Sequence, residues 1–279
     1  MSNEIVQWRR QFVEDGVICV RNALDPASLR MAEEAFNWSL ENPGPYASEF
    51  PGTAAAPSRF YQDLLNPRAC EVYEPMLQAS SAPDLIAELW NAPEVWFFYE
   101  QVFLKEGGES RRTPWHQDSS YLPIEGARLA VMWISFEPLA RADSLEFIRG
   151  SHRGSLYDGS RFDPNDDTAP LYGTLPRLPD IERQRTHYEI ISWATEPGDV
   201  IVFHPRMLHG GAPTHAGRRR RTLSLRFFGD DAVFASRPGN LGAPDGEAES
   251  RLADIRLGLR EGQPFRHPRF PQVRPRRSL

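Results

Sequence analysis

Cysteine and lysine are the scarce residues of this chain. Cys19 and Cys70 are the two cysteines in 279 residues, and their separation matches no metal-binding spacing. That scarcity excludes a disulfide-stapled scaffold, and two isolated thiols fit a reducing compartment. Lysine occurs once, at Lys105, so nearly all positive charge is arginine. No uninterrupted apolar run is long enough to cross a bilayer, and the polar opening Met1 to Arg10 lacks the apolar segment of a secretory leader. The terminal Arg277-Ser278-Leu279 misses the peroxisomal tripeptide. Positive charge is also in deficit: a net charge of −6 excludes a generally basic nucleic-acid binder. Together these absences predict a cytoplasmic protein with no nucleic-acid or membrane partner.

What is present favours a large core. Hydrophobic residues make up 40% of the chain, with 16 Phe, 7 Trp and 8 Tyr, and an all-β barrel of this length is commonly one domain. Helical spacing of Ile5, Trp8, Phe12 and Val13 predicts a short helix, broken at Asp15-Gly16 before a strand at Val17–Val20. Asp25-Pro26 is a helix start, with Asp25 as N-cap, and the helix runs to about Asn42. Residues 43–58, rich in Pro, Gly, Ala and Ser, are expected to be a loop. Helices are expected near 67–78 and 82–90, the second opened by Ser81 and Asp84 as a capping box.

After Pro93 the texture changes to β-branched and aromatic residues. Strands are expected at 95–104, 113–119, 128–136, 145–148 and 220–228, with Tyr99, Gln101 and Phe103 sharing a face of the first. Residues 188–195 and 200–204 are expected to pair as a hairpin around Glu196-Pro197-Gly198-Asp199. Residues 158–185, punctuated by Gly159, Pro164, Pro170, Gly173 and Pro176, predict a loop over one mouth of the barrel and a candidate lid. Helices followed by antiparallel strands, without βα alternation, predict a mainly β fold, a sandwich or barrel with N-terminal helices packed on one side. One domain over 1–279 is expected: a helical part to about 92, a barrel over about 93–230, and a C-terminal helix and basic tail over about 231–279. That helix is expected near 249–259. The rest of the tail, with eight arginines from Arg251 onward, reads as a solvated charge run.

The chemistry gathers at Trp115-His116-Gln117-Asp118. In an extended strand alternate side chains share a face, so His116 and Asp118 project together and Gln117 points away. An imidazole and a carboxylate so placed can clamp one face of a divalent metal, and the stretch Phe203–Gly211, with its histidines, offers a third ligand. Two histidines and one carboxylate leave positions open, which suits non-haem Fe(II) and oxygen better than a closed zinc site. A lone His-x-Asp arises easily by chance; its neighbours give it weight.

Those neighbours resemble a known family. Thr113-Pro114-Trp115-His116-Gln117-Asp118, Ile148-Arg149-Gly150-Ser151-His152, Pro197-Gly198-Asp199, His209-Gly210-Gly211 and Arg220-Arg221-Thr222-Leu223-Ser224 occur in the order and rough spacing of the phytanoyl-CoA dioxygenase family. Phe12-Val13-Glu14-Asp15-Gly16-Val17 and Asp25-Pro26 resemble its N-terminus, so the match runs from about residue 8 to 230. The resemblance implies a double-stranded β-helix, a cupin-like jelly-roll barrel, using Fe(II), 2-oxoglutarate and O2, with ascorbate as an assay reductant. It implies hydroxylation of an unactivated carbon with release of succinate and CO2. By motif position it implies His116, Asp118 and His209 as iron ligands and Arg220 as the cosubstrate arginine. Gln101 and Trp133 resemble positions that touch the cosubstrate, Trp133 being equally readable as core.

Strand alternation supports Arg220 from the residues themselves. It groups Arg220 with Thr222, Ser224 and Arg226, and places Arg221 with Leu223, Leu225 and Phe227 on the packing side. A guanidinium fork on the polar face suits a carboxylate. Lys105 and Thr113 flank the site as an ordinary solvated lysine and a strand threonine. His152 reads as a turn residue, and His187, His204, His215 and His267 as surface or packing residues. The chain departs from the family at Arg141-Ala142-Asp143-Ser144-Leu145, where an Asn-Gly turn is usual, and at Arg149, which replaces a proline. In related halogenating enzymes a small residue replaces the carboxylate, so Asp118 favours hydroxylation, or desaturation or cyclisation. The competing reading is a metal- or small-molecule-binding module without turnover; zinc hydrolysis lacks a general base beside His116. Phe50, Phe60, Tyr61, Tyr157, Phe162 and Tyr172 suggest an apolar guest. Arg111, Arg112, Arg149, Arg153 and Arg161 are read as solvated loop arginines rather than a thioester-binding cluster.

Overall fold

A computed structural model describes residues 3–53, 56–107, 112–163, 165–211, 214–215, 217–237 and 258–276, without the side chains of 50–57. Helix α1 (Asn3–Asp15) leads into β1 (Val17–Val20), and Phe12 is buried where the helix meets the sheet. Helix α2 (Pro26–Glu41) starts as its sequence directs: the Asp25 carboxylate accepts the amides of Ala27 and Ser28 at 2.8 and 2.9 Å. Next come β2 (Ser48–Thr53), β3 (Ala56–Leu64), α3 (Cys70–Ala79), α4 (Ala82–Trp90) and β4 (Val95–Gly107). The remaining strands are β5 (Thr113–His116), β6 (Ile124–Glu125), β7 (Leu129–Ser135), β8 (Leu145–Ile148), β9 (Ile190–Ile191), β10 (Val200–Phe203), β11 (His209–Gly211), β12 (Arg219–Phe228), β13 (Val233–Phe234) and β14 (Gln272–Arg274).

Among the described residues these strands make a large sheet in the order β1-β10-β7-β12-β4-β3-β2, with β14 also on β4. A small sheet runs β5-β11-β8-β9, and β13 pairs with β6. The two main sheets face each other as a jelly roll. Period-two alternation decides what each face does. Val102 and Leu104 of β4, Leu223 and Leu225 of β12 and Met132 and Ile134 of β7 pack against Ala35 and Phe36 of α2 and Ile86 of α4. Their strand neighbours turn inward, where Val131, Trp133, Ile201 and Phe203 meet Phe147 of the small sheet. The helices therefore cover one face of the large sheet and leave the other to the site.

Four expectations need correction. Residues 43–58 are not one loop: from Ser48 the chain forms β2, which pairs with β3 from Ser48–Gln62 to Thr53–Ala56 with one register shift after Pro51, and the pair extends the sheet edge. An edge strand tolerates proline, and Pro51 lies on the outermost one. Residues 188–195 and 200–204 do not form a hairpin. β9 joins β8 in the small sheet, whereas β10 sits between β1 and β7, because the jelly roll passes the chain from one sheet to the other. Ser81 makes no side-chain cap to α4. Its hydroxyl bonds Ser28 instead, and Asp84 is taken by arginines from the C-terminal segment.

That segment overturns the fourth expectation. Most of the helix expected near 249–259 lies outside the described residues, but the tail beyond it is no solvated charge run. Val273 and Arg274 are buried. The Arg274 guanidinium donates to the carbonyls of Leu77 (3.1 Å) and Ser80 (2.6 Å) and ion-pairs with Asp84. It thus satisfies orphan carbonyls at the end of α3 and an acid in the first turn of α4, both placements favoured by the helix dipoles. Replacing Arg274 with Met strands those carbonyls in the interior. The expected loss of unfolding free energy is about 3 kcal/mol, measured by urea denaturation; a change within error would refute the staple.

Candidate metal centre

β5 and β11 are neighbours in the small sheet, and their register sets His116 directly opposite His209. β5 ends at His116, earlier than the expected strand, and the chain turns into a 3-10 segment at Asp118–Ser120. Gln117 keeps extended dihedrals of −122° and 125°, so Asp118 still returns to the side of His116 before the turn begins. Gln117 itself is fully buried facing away. Its amide nitrogen donates to the carbonyls of Ser155 (3.1 Å) and Arg206 (2.7 Å), and its oxygen accepts the Tyr157 amide (2.8 Å). One side chain therefore locks the turn to the segments that follow β8 and precede β11.

The ligating atoms of His116, Asp118 and His209 all lie within 4.8 Å of one another. Asp118 Oδ1 is 3.5 Å from His116 Nε2 and 3.8 Å from His209 Nε2. The other ring nitrogens are committed. His116 Nδ1 lies 2.9 Å from the Pro114 carbonyl, and His209 Nδ1 lies 2.9 Å from that of Met207. A carbonyl only accepts, so Nδ1 carries the proton in each ring and Nε2 presents its lone pair to the shared centre. Burial, and then His116 alongside, pushes the His209 imidazole down to about 4. Burial by itself would raise the Asp118 carboxyl. The Arg226 guanidinium and the two imidazoles outweigh it and hold the group far below the usual carboxylate range. With Nδ1 of each ring turned to a carbonyl, the three groups can offer two imidazole Nε2 atoms and one anionic oxygen, the donor set of a divalent metal with open positions.

Across the barrel, β12 pairs with β4 and β7 so that inward residues form rows. Ser224 lies between Gln101 and Trp133, and Arg226 lies between Tyr99 and Val131. Gln101 and Trp133 therefore share the row one step along from the arginine that touches Asp118. Trp133 also packs in the inter-sheet core with Ile201 and Phe147. Arg220 is buried opposite Lys105 and donates to the Asp143 carbonyl at 2.8 Å.

Lys105 is not the solvated lysine the sequence suggested. It is 3% exposed, with Nζ 4.5 Å from the Phe60 ring centroid. Burial, and then Arg220, pull it down to about 7. The residue that sequence reasoning passed over is Arg226. Its Nη2 donates to Asp118 Oδ2 and to Gln101 Oε1, each at 2.8 Å, with the guanidinium 4.4 Å from the Tyr99 ring centroid. The alternation that picked out Arg220 put Arg226 on the same polar face, so the signal was in the pattern.

The expected lid is met in part: Phe162 reaches this mouth, whereas Leu178 and Ile181 join Trp115, Ile148 and Leu208 on the outer face of the small sheet. Asp158 is buried and accepts the amides of Tyr172, Thr174 and Leu175. Phe162, 42% exposed, stands edge-on to the His116 ring at 5.4 Å. Arg112 is no solvated loop arginine: it pairs with Glu146 and Glu182, and Glu182 also accepts Trp115 Nε1. Arg111 and the side chain of Phe50 lie outside the described residues, and Tyr61 is buried in the sheet–helix core. His152 is a turn residue, with Nε2 3.2 Å from the Val13 carbonyl.

A double-stranded β-helix carrying one buried two-histidine, one-carboxylate cluster defines the class of protein. The chain belongs to the phytanoyl-CoA dioxygenase family, whose model matches residues 12–222. It is 28% identical over 127 residues to a probable phytanoyl-CoA dioxygenase of Caenorhabditis elegans, covering 45% of this chain and 39% of that one. It is 25% identical over 152 residues to the peroxisomal phytanoyl-CoA dioxygenase of Homo sapiens, covering 53% and 43%. The chain thus spans under half the length of these two relatives. The fold matches that of the epimerase SnoN, solved in complex with Fe3+, alpha ketoglutarate and nogalamycin RO. The TM-score is 0.68 at 18% identity, over 97% of this chain and 99% of that one.

His204, on the segment leading to His209, is buried, and burial pushes it down to about 4. Between pH 4 and 6.5 the unfolded chain binds a proton there that the native state does not. Stability therefore rises with pH through that window, with His204 contributing about 3 kcal/mol that is lost on acidification. Urea denaturation of His204→Gln is expected to show an acid slope reduced by about one proton; an unchanged slope would assign the effect elsewhere.

Proposed function

We propose that this chain is a non-haem Fe(II)- and 2-oxoglutarate-dependent dioxygenase acting on a small organic metabolite, built as a single cytoplasmic domain. The observation that carries the reading is the convergence of two Nε2 lone pairs and Asp118 Oδ1 on one centre within 4.8 Å. His116, Asp118 and His209 would hold the iron. Iron bound there supplies the oxidising chemistry, with 2-oxoglutarate converted to succinate and CO2 as one oxygen atom enters the substrate.

The chain's own residues do the rest. Arg220 and Lys105, buried side by side, make a cationic pocket suited to the far carboxylate of a dicarboxylic acid. Gln101 and Trp133, on either side of Ser224, would flank the cosubstrate between that pocket and the triad. Phe162 shields the mouth beside His116 and offers an apolar contact for the substrate. The human relative is named for a CoA thioester, but the half-buried Arg112 is already spent on Glu146 and Glu182. That favours a substrate without the thioester's phosphates.

The test is an anaerobic titration of metal-free protein with Fe(II) and 2-oxoglutarate, followed by the visible charge-transfer band of the chelate. Wild type is expected to show the band and Asp118→Ala to lose it. Arg220→Ala and Lys105→Met are expected to need about tenfold or more 2-oxoglutarate. No band in iron-loaded wild type would sink the reading and leave a binding module in its place; substrate-stimulated succinate release separates the two independently.

Lys105 adds a pH signature. Arg220 on β12 is the charged group facing it, while β3 presents Phe60. A lysine near 7 in the free protein is protonated when an anion binds beside it. Affinity for 2-oxoglutarate is therefore expected to fall by about tenfold per pH unit above 7. Lys105→Met should flatten that dependence, and a flat wild-type profile would exclude the lysine.

A further inference from the structure

Arg226 is an expensive way to hold a fold together. Of five guanidinium N–H donors, the two on Nη2 are used, while Nε and Nη1 are buried with no hydrogen-bond partner. Buried donors left unpaired cost stability, and an apolar side chain would fill the same space without that cost. The two bonds it does make are specific. Asp118 has one oxygen, Oδ1, facing both histidine Nε2 atoms, and the other, Oδ2, on Arg226. The same Nη2 faces Gln101 Oε1. Because a guanidinium can only donate, the Gln101 carbonyl must be the end turned toward it, which leaves the NH2 end for another partner.

We propose that Arg226 is a positioning residue with two tasks: it makes Asp118 a one-oxygen ligand, and it turns the Gln101 amide so that its N–H groups face the cosubstrate. The inference rests on the metal-site reading above. With Oδ2 engaged, the carboxylate occupies one position of an octahedral ion, and three remain open. Two would be available to a chelating 2-oxoacid, leaving one. Without Arg226, Oδ2 is free to swing onto the ion, and only two positions remain. The guanidinium also repels the ion, so its retention trades metal affinity for open coordination. This role accounts for a charge buried against Tyr99 with most of its donors unmet.

Mn(II) serves as the probe, with the number of exchangeable waters on the bound ion read from water-proton relaxivity. Wild type is expected to carry three waters and Arg226→Met two, a fall of about one third in the bound relaxivity, with Mn(II) affinity equal or tighter. Added 2-oxoglutarate should displace two waters from wild type, and Arg226→Met should bind it about tenfold or more weakly. Equal water counts and equal 2-oxoglutarate affinity in the two proteins would overturn the proposal. Should Arg226→Met fail to fold, the crystal structure of Mn(II)-loaded wild type decides: Asp118 bound through Oδ1 alone, with Oδ2 still on Arg226, supports it, and both oxygens on the ion refute it. If 2-oxoglutarate displaces no water from wild type, the cosubstrate reading fails, while the water counts still judge Arg226.

Discussion

The register of one short strand pair holds this site together. β11 contributes three residues, yet its pairing with β5 sets His209 opposite His116, and its pairing with β8 sets His209 beside Phe147. Antiparallel pairing is unforgiving: a slip of one residue would send the imidazole to the other face. The chain invests in preventing that slip. Gln117 and the Ser151 hydroxyl tie the segments around β5, β8 and β11 to one another through partly buried hydrogen bonds. Each histidine is then oriented by a carbonyl two residues before it, so the local chain sets the tautomer.

The opposite wall of the barrel is organised by charge. Arg220, Lys105 and Arg226 all face inward from the large sheet, in a protein whose net charge is −6. Asp118 answers the last of them. The result is a gradient along the inner face, from the Asp118 carboxylate held by Arg226 to the neighbouring Arg220 and Lys105. On the function proposed above, a ligand with a chelating end and a distant carboxylate would lie along that gradient in one orientation. Arginine suits these positions because its planar fork can satisfy two acceptors at once, as Arg226 does with Asp118 and Gln101. Arg274 uses the same property for structure, bonding two carbonyls and a carboxylate between α3 and α4.

Much of this was legible in advance. Alternation separated Arg220 from Arg221, and the structure gives Arg221 to Glu137 and Glu33 on the outer side. The Asp25 cap, α4 and strands β1, β4, β7, β10 and β12 of the large sheet fall close to where periodicity placed them. The misreadings share a cause. Residues 43–58 looked like a loop because an edge hairpin needs neither an apolar run nor strong alternation. Lys105 looked solvated, and the tail looked like a free charge run, because composition says nothing about which polar groups a distant segment brings to meet them. Ser81 and Asp84 had the spacing of a capping box, but Arg274, 190 positions away, competes for the acid.

The sequence by itself determined the local matters: where strands alternate, which helix is capped, which residue types in which order can hold a divalent ion, and hence the family. These follow from interactions among residues a few positions apart, which the chain carries with it before it folds. The tertiary structure decided the rest: that His209 faces His116 across a strand pair, that β12 brings Arg226 onto Asp118 and Arg220 beside Lys105, and that the C-terminal segment staples two helices. Those contacts join residues many positions apart, and their energies depend on burial, which raises the cost of an unmatched charge and the value of a matched one.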